Sequence, residues 1–191
     1  MRLLLLGSLL LALSCGHKQT VARMEPIPAP PSGEASAKPV FVLKSPGFQD
    51  MAVMPDRYTG KGANVSPPLE WSNPPPGTTS FAIIVNDPDA PNGTFTHWLI
   101  YNLPAASTGL SEDVPKTELL ADGSRQLAND FGRPGYSGPM PPPGSLHHYH
   151  FQLYALDRML SSDNISSKSK LLDAMNGHVM AMVQLTGVYQ R

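Results

Sequence analysis

One cysteine stands in a chain of 191 residues, which excludes an internal disulfide and a cysteine-built zinc cluster. Charge is equally scarce. Charged residues make up 15% of the chain, and 14 Lys+Arg against 15 Asp+Glu leave a formal charge of −1. A nucleic-acid surface needs a strong basic excess, so nucleic acid is excluded as a partner. No apolar run reaches the about 20 residues that cross a bilayer as a helix. There is no Gly-rich phosphate loop of the Walker or dinucleotide type. Gly135-Tyr136-Ser137-Gly138-Pro139 misses a nucleophile elbow, because Pro139 stands where glycine is required. What the chain does have is proline: 21 residues, about twice the ordinary usage of roughly 5%. Proline is kept out of helix interiors and central strands. Long helical bundles and doubly wound sheets are therefore poor candidates, and short strands joined by Pro-rich loops fit better. Hydrophobic residues at 41% suffice for a packed core.

The N-terminus reads as an address. Met1-Arg2 precede a short apolar run from Leu3 to Leu13, followed by Ser14-Cys15-Gly16, the pattern of an export signal. Leu11-Ala12-Leu13-Ser14-Cys15 resembles a bacterial lipobox, imperfectly, since Leu13 is bulkier than usual. The expectation is an export signal over residues 1–15, a lipid on Cys15 and a membrane anchor at the cell envelope. No Asp follows Cys15, so outer-membrane sorting is the default. Residues 16–38 are polar and Pro-rich without helical or strand period, the composition of an extended tether. The folded domain is expected over residues 39–191.

Within it, Val40–Leu43, Leu69–Trp71, Phe81–Asp87, Phe95–Leu103 and Tyr149–Leu156 read as strands. The stretch from Ala105 to Pro143 is irregular. Ser167 to Gly177 carries a Ser cap, leucines on one side and a closing glycine, which predicts one short helix. Val179–Tyr189 reads as part helix, then a closing strand. The sum is a mostly β chain, an antiparallel β-sandwich with one or two short peripheral helices.

Alternate residues of a strand share a face. Phe81, Ile83 and Val85 are thus followed on their face by Asp87. His97 begins a row with Leu99, Tyr101 and Leu103, and His147 with Tyr149 begins a row with Phe151 and Leu153. Three strands end an inward row with a hydrogen-bonding group, and buried polar groups must find partners. A polar mouth at one end of the sandwich would supply them and make a ligand pocket. His148 and His150 fall on the opposite face and read as surface residues. That split between faces also argues against a metal centre built from Asp87, Asp89 and these histidines.

Several longer segments then point to a known family. Asp87-Pro88-Asp89-Ala90-Pro91, Thr96-His97-Trp98-Leu99-Ile100-Tyr101-Asn102-Leu103-Pro104, Asn129-Asp130-Phe131-Gly132, Gly135-Tyr136-Ser137-Gly138-Pro139-Met140-Pro141-Pro142 and His147-His148-Tyr149 resemble the phosphatidylethanolamine-binding protein family, in its bacterial Raf-kinase-inhibitor-like branch. Asn64 to Trp71 and the terminal Gly187-Val188-Tyr189-Gln190-Arg191 fit as well. The resemblance implies a β-sandwich with an anion pocket at one end. It implies Asp87, His97, His147 and Tyr149 as ligand-binding residues, with Gly138 and Pro139 shaping the wall and Pro91 the rim. Ser137 and Met140 depart from the family pattern, which often has Gly and Cys there, and are expected to lie outside the residues that touch ligand. Imidazoles and a phenol would donate to a phosphoryl or carboxylate group, while Asp87 would orient a histidine or hold an ammonium. With no Lys or Arg in these motifs, affinity should be modest. The expected function is a non-catalytic binding protein for small anionic or phospholipid-like ligands, with no cofactor. The alternative is an inhibitor or regulator of a partner protein such as a kinase or protease.

Overall fold

The computed structural model describes residues 39–191. The expected signal, Cys15 and the tether lie outside the described residues. Two sheets face each other. The smaller joins β1 (Val42–Lys44), β3 (Leu69–Ser72) and β6 (Gly109–Leu110) in the order β1-β3-β6. The larger contains β2 (Ala52–Val53), β4 (Ser80–Asp87), β5 (Phe95–Pro104), β7 (Arg125–Gln126), β8 (Leu146–Leu156) and β9 (Val179–Gln190), ordered β2-β9-β8-β4-β5-β7. Every pairing is antiparallel except the edge pair β2–β9. The one α-helix among the described residues, α1 (Lys168–Met175), is capped by the Ser167 side chain, which accepts from the Lys170 N–H.

Between the sheets lies an aromatic-rich core. Leu43, Leu69 and Trp71 of the small sheet pack with Phe81, Ile83, Val85, Phe151, Leu153 and Leu185 of the large one. A second core lies on the other face of the large sheet, where Leu171 and Met175 of α1, with Leu160 and Ile165, cover Ala82, Ile84, Leu99 and Tyr101. Burying one such side chain contributes about 1.5–3 kcal/mol. Covered on both faces, β4 and β5 read as nearly unbroken apolar runs rather than alternating ones.

Two expectations are corrected here. Val179–Gln190 is strand throughout, with no helical part. It follows a turn at Gly177 (φ 78°) and runs antiparallel to β8 along that strand's whole length, so ladder hydrogen bonds decide its conformation. The face assigned to β5 also changes. Val85 pairs with Trp98 and Asn86 with Thr96, leaving His97 as an extra residue. Such a bulge turns two successive side chains to one side. His97 and Trp98 therefore both point toward the inter-sheet core, while Leu99 and Tyr101 join the second core. A second irregularity at Asn102 (φ 60°) returns Leu103 to the inter-sheet core. Asn102 holds this bend with both ends of its amide, donating to the Leu160 carbonyl and accepting from the Leu160 N–H, each at 2.8 Å.

Candidate functional site

β4, β5 and β8 bring Asp87, His97, His147 and Tyr149 to one end of the large sheet, where they are 4%, 3%, 4% and 1% exposed. All four line a cleft of about 480 Å³. Its walls add Phe95, Asp130, Phe131, Met140, Pro141 and Pro142, and its rim is the Ala90–Thr94 loop with Pro91. A larger and more open hollow of about 890 Å³ borders the small sheet and contains none of the expected residues.

Each cleft histidine is oriented through Nδ1. His147 Nδ1 lies 2.7 Å from Asp87 Oδ2, and His97 Nδ1 lies 2.6 Å from the Ser137 carbonyl oxygen. Carbonyl and carboxylate oxygens only accept, so both Nδ1 atoms carry the proton. Neither Nε2 has a protein partner among the described residues. Asp87 is itself fixed, since its Oδ1 accepts from the Asp89 N–H at 2.9 Å. The Tyr149 hydroxyl is buried and forms no hydrogen bond of good geometry to protein among the described residues, yet the Asp87 carboxylate is close enough to contribute hydrogen bonding to the rise of its pKa. Its ring packs edge-on to His97, centroids 5.1 Å apart, and stacks on His147 at 6.4 Å.

Burial lowers the pKa of His97 below its ordinary 6.5. The Ser137 carbonyl and the charges of Asp87 and Asp130 oppose this but are outweighed. Burial, and then the Asp87 carboxylate, push the Tyr149 phenol far above its ordinary value. The cleft therefore offers a phenolic O–H, two imidazole Nε2 atoms and two carboxylates. Lys and Arg are missing from its lining. Among the described residues no group of three His, Cys, Asp or Glu side chains is assembled as a metal site.

Gly138 and Pro139 do not line the cleft. They sit behind it, where the Gly138 N–H donates to Asn64 Oδ1 at 2.7 Å and the Pro139 carbonyl accepts from the Gly60 N–H at 2.8 Å. A Cβ on Gly138 would lie 2.2 Å from the Tyr58 carbonyl oxygen, so this close backbone approach needs glycine. The two departures from the family pattern, in contrast, both bear on the site. Met140 lines the cleft directly. Ser137 holds His97 with its carbonyl, while its hydroxyl accepts from Asn129 Nδ2 at 3.0 Å and Arg133 Nε at 3.2 Å.

Sequence reasoning missed Phe95, Asp130 and Phe131, although the last two lie in a segment that carries the resemblance. It weighed Asp89 only as a metal ligand and did not foresee its hold on His148. This carboxylate accepts from both the backbone N–H and Nδ1 of His148, at 2.8 and 2.7 Å, and pins the rim loop to β8. His148 is indeed turned away from the cleft, as strand alternation requires, yet it is not an idle surface group.

Comparisons with known proteins place the family and the fold. The family model for phosphatidylethanolamine-binding protein matches residues 44–190. A protein of Methanothermobacter thermautotrophicus named UPF0098 protein is 49% identical over 149 residues, covering 78% of this chain and 98% of that one. A UPF0098 protein of Aquifex aeolicus is 41% identical over 154 residues, with 80% and 90% covered. The crystal structure of Escherichia coli YbcL, described as a member of the mammalian PEBP family, matches with a TM-score of 0.73 at 35% identity, over 81% of this chain and 99% of that one. A PEBP homologue of Chlamydia trachomatis matches with a TM-score of 0.72, also at 35% identity, over 79% and 97%. The Methanothermobacter relative is archaeal, so the branch is not confined to bacteria. With the family model running from the last residue of β1 to the end of β9, and the cleft at the end of the large sheet, the chain belongs to the phosphatidylethanolamine-binding protein family.

Proposed function

We propose that the chain is a non-catalytic binding protein for small phosphoryl ligands, including phospholipid head groups, taken into the Asp87–His97–His147–Tyr149 cleft. One observation carries the reading: a buried phenolic hydroxyl with no well-formed protein hydrogen bond among the described residues shares one cleft with two imidazoles anchored through Nδ1. A buried unpaired hydroxyl costs about 1–3 kcal/mol. Such a cost is offset when a ligand oxygen completes the bond. The histidines on either side are already held through Nδ1, so the cleft is pre-organised to receive a ligand oxygen. Apolar Phe131 and Met140 stand exposed at the mouth, suiting a ligand with an apolar tail.

A binder is favoured over an enzyme because, among the described residues, no hydroxyl or thiol nucleophile hydrogen-bonds either cleft imidazole. Attachment to the cell envelope through Cys15 rests on the lipobox-like segment, and mass spectrometry of the protein from its native membrane tests it. The second reading, a regulator that docks a partner protein over the mouth, draws on the same exposed Phe131 and Met140. Titration calorimetry with phosphoethanolamine tests the binding reading. His97→Ala and His147→Ala are each expected to weaken binding by about tenfold or more. Unchanged affinity in both variants rejects the cleft as the site.

A further inference from the structure

The proton positions on the two histidines limit which phosphoryl groups the cleft can hold. A neutral imidazole has one N–H, and in His97 that N–H is fixed on Nδ1 by the Ser137 carbonyl 2.6 Å away. Nε2 of His97 therefore presents a lone pair to the cleft. The groups that face it are Asp87 from β4, Asp130 from the loop after β7, and His147 and Tyr149 from β8. Two of these are carboxylates and none is a Lys or Arg. His97 is buried against the Phe95, Phe131 and Tyr149 rings, surroundings that oppose a charge on its own ring. A ligand oxygen placed at Nε2 must then bring its own hydrogen.

We propose that the cleft selects phosphomonoesters in their singly protonated form and discriminates against phosphodiesters, the ligand P–O–H donating to Nε2 of His97. The proposal rests on the reading of the cleft as a phosphoryl site and narrows it. An intact phospholipid is a phosphodiester and is disfavoured, so the head group that fits is the one carried as a monoester, as in phosphoethanolamine. In a monoester monoanion, one oxygen carries the proton for His97 and another accepts from the Tyr149 hydroxyl. The monoanion has a single P–O–H, so Nε2 of a neutral His147 can only share that hydrogen with His97, whereas a protonated ring donates to an anionic oxygen. A phosphodiester has no P–O–H. Its anionic oxygens meet the His97 lone pair unless that ring takes up a proton against its buried setting. A monoester dianion is opposed by the same lone pair and by both carboxylates. It binds by taking up one proton, RO–PO₃²⁻ + H⁺ giving RO–PO₃H⁻, with the new O–H directed at Nε2. Since a phosphomonoester has its second pKa near about 6, uptake approaches about one proton per ligand at about pH 8 and fades below that pKa.

The test compares phosphoethanolamine with its methyl phosphodiester, which differ by one methyl group and share the ammonium. Calorimetry at about pH 7.5 is run in buffers of different ionisation enthalpy, so that proton uptake is read directly. The monoester is expected to bind at least about tenfold tighter, the order that one mismatched buried polar contact produces. Its affinity should fall by up to about tenfold per pH unit above its second pKa. His97→Gln places an amide N–H₂ toward the cleft. It should bring the two ligands to within about threefold and abolish the proton uptake. Equal or tighter diester binding, or monoester binding at about pH 8 without proton uptake, overturns the selectivity and leaves the phosphoryl site standing. Binding of neither ligand overturns both. If His97→Gln does not fold, judged by its melting transition, the wild-type pair of titrations still decides.

Discussion

Asp87 and His147 lie 60 residues apart in the chain and 2.7 Å apart in space. The contact follows from the antiparallel pairing of β4 and β8, in which Asn86 faces His150, so that Asp87 lies at the very end of the ladder among the first residues of β8. Both side chains are buried, and the pair fixes which nitrogen of His147 faces the cleft. Removing one member leaves the other without its partner in a site that water barely reaches.

Asp87→Asn keeps the shape but replaces a charged acceptor by an amide that can also present N–H₂ to the ring. Phosphoethanolamine affinity is expected to fall by about tenfold, and stability by about 1–3 kcal/mol. Titration calorimetry and urea denaturation of the folded variant measure the two effects. Unchanged affinity would mean that the orientation of His147 is irrelevant to binding.

Burial holds the pKa of His97 below its unfolded value of about 6.5. Between the lowered folded value and about 6.5 the unfolded chain binds more protons, so stability rises with pH across that window. The contribution of His97 is thus fully present above about pH 6.5 and is lost as pH falls through the folded value. Urea midpoints from about pH 7.5 down to about pH 5 are expected to drop more steeply in the wild-type protein than in His97→Gln. Equal slopes would contradict the burial argument.

Ser137→Gly tests a departure from the family pattern. The carbonyl that holds His97 remains, while the hydroxyl bonded to Asn129 and Arg133 is lost. Stability is expected to fall by about 1 kcal/mol, with phosphoethanolamine affinity within about threefold of the wild type. A larger affinity loss would show that the hydroxyl tunes the cleft beyond its share in holding the loop.

The strand-end clustering of Asp87, His147 and Tyr149 was legible in the sequence because polar residues interrupt apolar rows at fixed parity. The full phase of β5 was not. A bulge at His97 and a left-handed Asn102 shift the parity twice, and neither leaves a signal in the apolar pattern when both sheet faces are buried. His97 reached the cleft through the bulge, not through the row shared with Leu99 and Tyr101. The second core under α1 was hidden for the same reason. Phe95 at the start of β5, and Asp130 and Phe131 on an irregular loop, are placed by tertiary contacts such as the bond from the Thr96 N–H to Asp130 Oδ2, which no local period encodes.

Gly138→Ala probes the wall behind the cleft. Its Cβ would meet the Tyr58 carbonyl oxygen at 2.2 Å, a backbone atom with no flexible end to give way. A loss of about 1–3 kcal/mol or more is expected from overpacking, read as a lower urea midpoint. A neutral result would mean that the segment from Asp56 to Thr59 moves freely.

The apolar mouth makes its own prediction. Hexyl phosphate should bind more tightly than methyl phosphate, because its chain covers Phe131 and Met140, at about 0.8 kcal/mol per buried CH₂ at most. Phe131→Ala is expected to remove much of that difference while sparing methyl phosphate. Equal affinities of the two esters for the wild-type protein would deny the mouth any part in binding.

The central claim is that the Tyr149 hydroxyl donates to a ligand oxygen in the cleft. A crystal structure of the chain with phosphoethanolamine tests it most directly. The account predicts a phosphoryl oxygen within hydrogen-bonding distance of the Tyr149 hydroxyl, with the phosphoryl group also in reach of Nε2 of His97 and His147. A phosphoryl group bound elsewhere, or an empty cleft with the Tyr149 hydroxyl satisfied by protein, would contradict it.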